Sequence, residues 1–99
     1  MLVKCVLAFP TESAKEIVAR YGEGPTWPDG VTVQGPFYFR FLNEGLRALT
    51  IFEIPDDRAA EVLAAIRQYP KRYLGVPGFT YIIDVGLEAS EFMQFVGLA

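Results

Sequence analysis

The chain has 99 residues, 52% of them apolar and 21% charged, which suits one domain with its own core and is too short for two. A net charge of −3 argues against a nucleic-acid partner, because binding a phosphate backbone rests on clustered Lys and Arg releasing counterions. With one cysteine and no histidine, intramolecular disulfides, Cys-cluster metal sites, Ser-His and Cys-His nucleophile pairs and His-ligated haem are excluded, so neither metal nor cofactor is expected.

The first strand is expected over Leu2–Phe9, "LVKCVLAF", ended by Pro10. This apolar run is too short to span a membrane and lacks a small-residue cleavage site, so the expected location is cytoplasmic, with no membrane partner. Cys5 falls at an inward position of that strand, as a buried apolar group or, alternatively, a reactive thiol. "TESAKEIVARYG" reads as a helix: Ser13 and Glu16 have the spacing of a capping box, Ala14, Ile17, Val18 and Tyr21 form one apolar stripe, and Gly22 stops it. "GEGPTWPDG" is a structured loop around Trp27, which either caps the end of the core or serves as a lid or interface anchor.

"GPFYFRFLNEGLRALTIFEIP", Gly35 to Pro55, reads as a hairpin of two strands, with "NEG" as its three-residue loop and Gly45 at the left-handed position. "PDDRAAEVLAAIRQYP" follows as a second helix. Asp56 or Asp57 is the expected N-cap, Ala59, Val62, Leu63 and Ile66 the inward face, and Pro70 the stop. "RQYPKRY" mixes cations with tyrosines; it reads as a solvated helix end and, as an alternative, a site for an anion or RNA. After "GVPG", "FTYIIDVG" reads as a fourth strand with Phe79, Tyr81, Ile83 and Val85 on one face. "LEASEFMQFVGLA" reads as a third helix whose Phe92 and Val96 dock on the rest.

The order β-α-β-β-α-β plus a C-terminal helix predicts an α+β domain over residues 1–99, a ferredoxin-like four-stranded antiparallel sheet with both helices on one face. A three-residue hairpin loop pairs Leu42 with Leu46, Arg40 with Ala48 and Tyr38 with Thr50. On the other face Phe37 opposes Ile51, Phe39 opposes Leu49 and Phe41 opposes Arg47. The second set is more apolar, so the reading places it in the core with Val3, Cys5, Leu7 and Phe9. The open face then carries Leu2, Lys4, Val6, Ala8, Tyr38, Arg40, Leu42, Ala48, Thr50, Phe52, Ile54, Thr80, Ile82 and Asp84. A solvated face would hold more charge; an apolar one of this extent marks an interface. Its cover is expected to be a second copy of the chain or, alternatively, the C-terminal helix.

This element order and patterning, over roughly residues 1–86, resembles the dimeric α+β barrel superfamily, in which two ferredoxin-like protomers pack sheet against sheet. The resemblance implies strand order 4-1-3-2 and a homodimer. Members include cofactor-free monooxygenases, muconolactone-isomerase-like enzymes and haem-degrading proteins, the last a poor match without a histidine ligand. An RNA-recognition module shares the element order, but "LRALTIFEI" offers Ala48 and Thr50 where stacking rings are needed. Amino-acid-binding regulatory domains want a glycine-rich loop after the first strand, and "FPTESA" has none.

The candidate site comprises Lys4, Tyr38, Arg40, Thr50 and Asp84 on the open face, with Trp27 beside it. An apolar cleft with a few convergent polar groups is the general form of a small-molecule site. Arg40 suits a carboxylate or enolate oxygen, Tyr38 a carbonyl, and Asp84 the role of a base if burial raises its pKa. The competing reading pairs Lys4, Arg40 and Asp84 with one another for structure alone. The expected function is a small homodimeric ligand-binding or interaction module. The alternative is a cofactor-independent enzyme, of monooxygenase or isomerase type, acting on an aromatic or carbonyl-bearing small molecule through Tyr38, Arg40 and Asp84.

Overall fold

The computed structural model describes residues 1–41 and 45–98. Strand β1 spans Leu2–Phe9, α1 Ala14–Tyr21, β2 Thr32–Phe41, β3 Gly45–Glu53, α2 Ala59–Gln68, β4 Thr80–Gly86 and α3 Ala89–Phe95. Among the described residues, the strands form one antiparallel sheet in the order β2-β3-β1-β4, which from the β4 edge reads 4-1-3-2. The expected loop "NEG" lies outside the described residues except for Gly45, as do Leu42 and the side chain of Phe41.

Both central helices form as their apolar spacing requires. In α2, Val62 and Ile66 are buried while Ala59 and Leu63 lean on the same cluster. In α1, Ile17 is buried and Ala14 and Tyr21 pack beside it, but Val18, expected in the stripe, is exposed. Gly22 takes φ +58° and its N–H donates to the Val18 carbonyl at 3.3 Å, ending α1. The expected capping box is replaced. A 3-10 turn at Thr11–Ser13 precedes α1, and the Ser13 hydroxyl, making no cap bond, donates instead to the Pro77 carbonyl at 2.7 Å. Neither Asp56 nor Asp57 makes a side-chain cap bond; both lie in a 3-10 turn before α2. Arg58 holds that corner, donating to Glu61 at 2.8 Å and to the Asp29 carbonyl at 2.7 Å.

Pro70 does not end the helical path but tightens it. The α-helix stops at Gln68 and a 3-10 turn carries Tyr69–Tyr73 inward. Their hydroxyls lie 2.8 Å apart, so two buried phenols satisfy each other. The cations of "RQYPKRY" are partly consumed here: Arg72 sits 5.0 Å over the Tyr69 ring and donates to the Tyr21 carbonyl. Arg20 in turn donates to the Leu74 carbonyl at 2.6 Å.

The pairing assigns the faces differently from the expectation. Val3 pairs with Phe52, Cys5 with Thr50 and Leu7 with Ala48, so Ala48, Thr50, Phe52 and Ile54, expected on the open face, lie under the helices and are buried. Tyr38 pairs with Ala48 and Arg40 with Leu46, two residues from the expected register, and so share that helix-side face. Phe37 and Phe39, expected in the core, point the other way and are each about half exposed. The two-residue offset within the hairpin leaves the faces as they were; the physical reason is that β3 is apolar on both faces, and its register against β1 decides the side, since a one-residue change there carries every side chain across the sheet.

A bulge between Gln34 and Phe37 changes the phase of the first part of β2. One extra residue in β2 shifts its alternation, so Val33 faces the helices before the bulge while Phe37 faces away after it. Gly35 makes it possible: its φ is +103°, and a Cβ there would sit 2.6 Å from the Leu49 carbonyl oxygen. Gly35→Ala is therefore expected to cost about 1–3 kcal/mol, read as a melting point lower by about 4–8 °C per kcal/mol. An unchanged melting point would show that the bulge tolerates a side chain.

The C-terminal helix departs most from the expectation. Glu88 and Glu91 form a capping box that starts α3, with the Glu88 N–H donating to Glu91 at 3.2 Å. No residue of α3 is buried, and Phe92 and Val96, expected to dock, are both exposed.

Candidate functional site

Among the described residues, no helix covers the central rows of the sheet face away from α1 and α2. The molecule is 18 Å thin along its shortest axis, room for a sheet and one helix layer and no third. Cross-strand pairing sets four residues in each row of this face. The central row is wholly apolar: Phe37, Leu49, Val6 and Ile82. Gln34, Ile51, Lys4 and Asp84 form the row on one side; Phe39, Arg47, Ala8 and Thr80 form the row on the other. Ile82 is 54% exposed and Phe37 48%, values that matter because water meets the apolar row from end to end.

Within this face lies a concavity of about 370 Å³, floored by Leu2, Leu49 and Ile51 and bordered by Val85, with Lys4 and Asp84 on its rim. Lys4 Nζ stands 3.7 Å from Asp84 Oδ2, and both side chains are about half exposed. At that distance and exposure the pair is an ion pair without a tight hydrogen bond, and contributes little to stability. Either charge remains available to a ligand.

The sheet separates the expected site residues. Lys4 and Asp84 are on the open face, at neighbouring positions of β1 and β4. Tyr38, Arg40 and Thr50 are on the helix side, where Tyr38 falls in the row Tyr38, Ala48, Leu7 and Tyr81. Partial burial, followed by the neighbouring Tyr21, pushes the Tyr38 phenol above its ordinary pKa; like any tyrosine it is a neutral hydrogen-bond donor at pH 7. Trp27 joins the helix-side group. Its indole meets Phe52 edge-on at 4.8 Å and Tyr69 at 5.6 Å, the position of a core cap. Trp27, Thr50 and Tyr69 line a cleft of about 80 Å³ beside the Gly35–Pro36 bulge, a volume for a few waters and not for a substrate. Within one copy, then, Tyr38 and Arg40 do not share a face with Asp84.

Cys5 is buried, and burial raises its thiol pKa to about 11. It is a core side chain, held protonated and away from reagents. Among the described residues, no group of three or more Asp, Glu or Cys side chains is placed to hold a metal ion. No described helix is long and apolar enough to cross a membrane.

The residues that the sequence reading assigned to the core but that line the open face are Phe37, Phe39, Leu49 and Ile51, together with Arg47. The hydrophobicity of the first four concealed their position, since apolar side chains at both parities of β3 fit either face.

No family model matches the chain, and no curated protein matches it. Among solved structures, it is similar to the crystal structure of a DUF3240 family protein from Shewanella baltica OS155. The identity is 22%, the match covers 89% of this chain and 97% of that one, and the TM-score is 0.28.

Proposed function

We propose that the chain is a homodimeric small-molecule-binding module, two copies of a ferredoxin-like domain packed through their open sheet faces as in a dimeric α+β barrel. The observation that carries this reading is the apolar row Phe37, Leu49, Val6 and Ile82, with Ile82 and Phe37 about half exposed. A monomer in water gains nothing from such a row, whereas a second copy removes it from solvent. Two-fold symmetry makes a face meet itself, and the open face suits that. Its central row is neutral, and its charges among the described residues, Lys4 and Arg47 against Asp84 and Glu53, come as two of each sign.

The ligand site in this reading is the concavity beside Lys4 and Asp84. Its volume of about 370 Å³ falls in the range of roughly 300–1,000 Å³ usual for ligand pockets, and a facing copy would roof it. A largely apolar molecule with one polar end fits the lining: Leu2, Leu49 and Ile51 take its body and Lys4 or Asp84 its polar group. The enzyme alternative wants Tyr38, Arg40 and Asp84 together, and no observation favours it.

Sedimentation velocity tests the reading. The wild type is expected to sediment as a dimer at about 10 μM. Ile82→Asp would bury a carboxylate in the apolar row and raise the dimer Kd at least about 100-fold. Because Ile82 faces solvent in one copy, the monomer should keep its fold. A wild type that remains monomeric at about 100 μM refutes the dimer. Native mass spectrometry of the purified protein is expected to show a co-purifying small molecule, lost in Leu49→Asp.

A further inference from the structure

We infer that the ligand of the open face is an apolar α-amino acid, its carboxylate on Lys4 and its ammonium on Asp84; the inference rests on the small-molecule site proposed above and names what that site takes. Lys4 and Asp84 are cross-strand neighbours on β1 and β4 and stand on the rim of the concavity of about 370 Å³. Lys4 Nζ and Asp84 Oδ2 are 3.7 Å apart, wider than the about 2.7–2.9 Å of a charge-assisted hydrogen bond. Among the described residues, neither side chain has a second polar partner. An ammonium has three donors and a carboxylate about four acceptor sites, so most of the bonding capacity of both groups is open at the mouth of the concavity.

The head of an α-amino acid is the complement of this pair. Its ammonium nitrogen and carboxylate oxygens are held about 3 Å apart by the N–Cα and Cα–C bonds. Laid against the rim, it completes a rectangle of alternating charge: Lys4 ammonium, ligand carboxylate, ligand ammonium, Asp84 carboxylate. The protein side of that rectangle, 3.7 Å, is close to the length of the ligand side, so both ligand charges reach hydrogen-bond distance together. A singly charged ligand does worse. A carboxylate on Lys4 lies near the like charge of Asp84, and an amine on Asp84 lies near Lys4. Beneath a facing copy that excludes water, such an excess charge is costly, whereas the zwitterion leaves the site with no net charge.

The floor selects the side chain. On the face that carries Lys4, Ile51 is its cross-strand neighbour on the side away from Asp84, and Leu2 is the next residue along β1. With Leu49 these make a floor without a hydroxyl, amide or charge. A leucine or phenylalanine side chain resting there loses water and strands no polar group. A serine or asparagine side chain would be left without a partner, at the cost that a buried unpaired polar group carries. Leu49 also belongs to the apolar row with Phe37, Val6 and Ile82, so the apolar surface continues beyond the concavity for a longer side chain.

The test uses the full chain. Isothermal titration compares L-leucine with 3-methylbutylamine, which lacks the carboxylate, with 4-methylpentanoate, which lacks the ammonium, and with L-serine. Leucine is expected to bind at least about 10-fold tighter than each of the three, since each leaves one charge or the floor unmatched. Lys4→Met should weaken leucine at least about 10-fold and leave 3-methylbutylamine, which makes no use of Lys4, no weaker. Asp84→Asn should do the same for leucine against 4-methylpentanoate. Both side chains are about half exposed, so both variants should unfold thermally like the wild type. If the amine or the carboxylate binds as tightly as leucine, or if both variants bind leucine like the wild type, the amino-acid assignment is wrong. If none of the four binds at about 10 mM while another molecule co-purifies and is lost in Leu49→Asp, the assignment is wrong and the ligand site stands. With no binding and no co-purifying molecule, both fall.

Discussion

Phe52→Ala is expected to cost about 3–5 kcal/mol, a large share of the about 5–15 kcal/mol that keeps a domain folded. Phe52 has no exposed surface, pairs with Val3 across the sheet, and receives the edge of Trp27 at 4.8 Å. Its removal would leave a cavity that two strands and a loop cannot close, so the melting point should fall by at least about 12 °C. Phe39→Ala is the matched control. Phe39 is 47% exposed on the open face, so for the monomer its loss should cost less than about 1 kcal/mol, while dimerisation weakens. The two variants separate the face assignments sharply, because the sequence pattern alone ranks them in the opposite order. Thermal unfolding and sedimentation of each, compared with wild type, are the measurements. A larger thermal loss for Phe39→Ala than for Phe52→Ala would mean that the strand register described here is wrong.

The second large effect is alkaline instability. Burial raises the Cys5 thiol from 9.0 to about 11 in the folded chain. Between these values the unfolded chain has released that proton and the folded chain still holds it. The folded state therefore binds more protons, and stability falls as pH rises. The contribution is whole below pH 9 and lost by about pH 11, roughly 2.7 kcal/mol for two pKa units. Tyr69, whose phenol is pushed up first by burial and then by its hydrogen bond to Tyr73, adds a loss of the same sign above pH 10. Denaturant unfolding at pH 8 and 10.5 should show the midpoint fall, with a shallower fall in Cys5→Ala. The comparison is of slopes, since removing the thiol also opens a small cavity. Equal slopes in the two proteins would remove Cys5 as the cause. Labelling by a maleimide should likewise be slow in the native state and rapid in denaturant.

Legibility in the sequence followed local chemistry. Gly22 stopped α1 because a left-handed residue is needed there, and the spacing of Val62 and Ile66 put one side of α2 inward whatever lay beneath it. Four strands and their antiparallel pairing came from alternation and from the turn residues between them. Capping was less legible. Ser13 has the right neighbour in Glu16, but the Pro77 carbonyl, distant in sequence, captures its hydroxyl, and only the packed chain brings that carbonyl near.

For the candidate site, alternation determined that Tyr38 and Arg40 share a face with Thr50 and that Lys4 shares one with Val6. It could not determine how these two sets stand to each other, because β3 offers Leu49 and Ile51 on one side and Ala48, Phe52 and Ile54 on the other. Hydrophobicity was nearly equal both ways, and hydrophobicity is the only face signal a strand carries. The tertiary register between β1 and β3 broke that tie, with Gly35 shifting the phase of β2 by one residue. From sequence alone this protein was an α+β domain with more apolar surface than one small core can absorb. The tertiary structure decided where the surplus lies, on Phe37, Leu49, Val6 and Ile82, because the pairing of distant strands, and not any local preference, chooses which side of a sheet the helices cover.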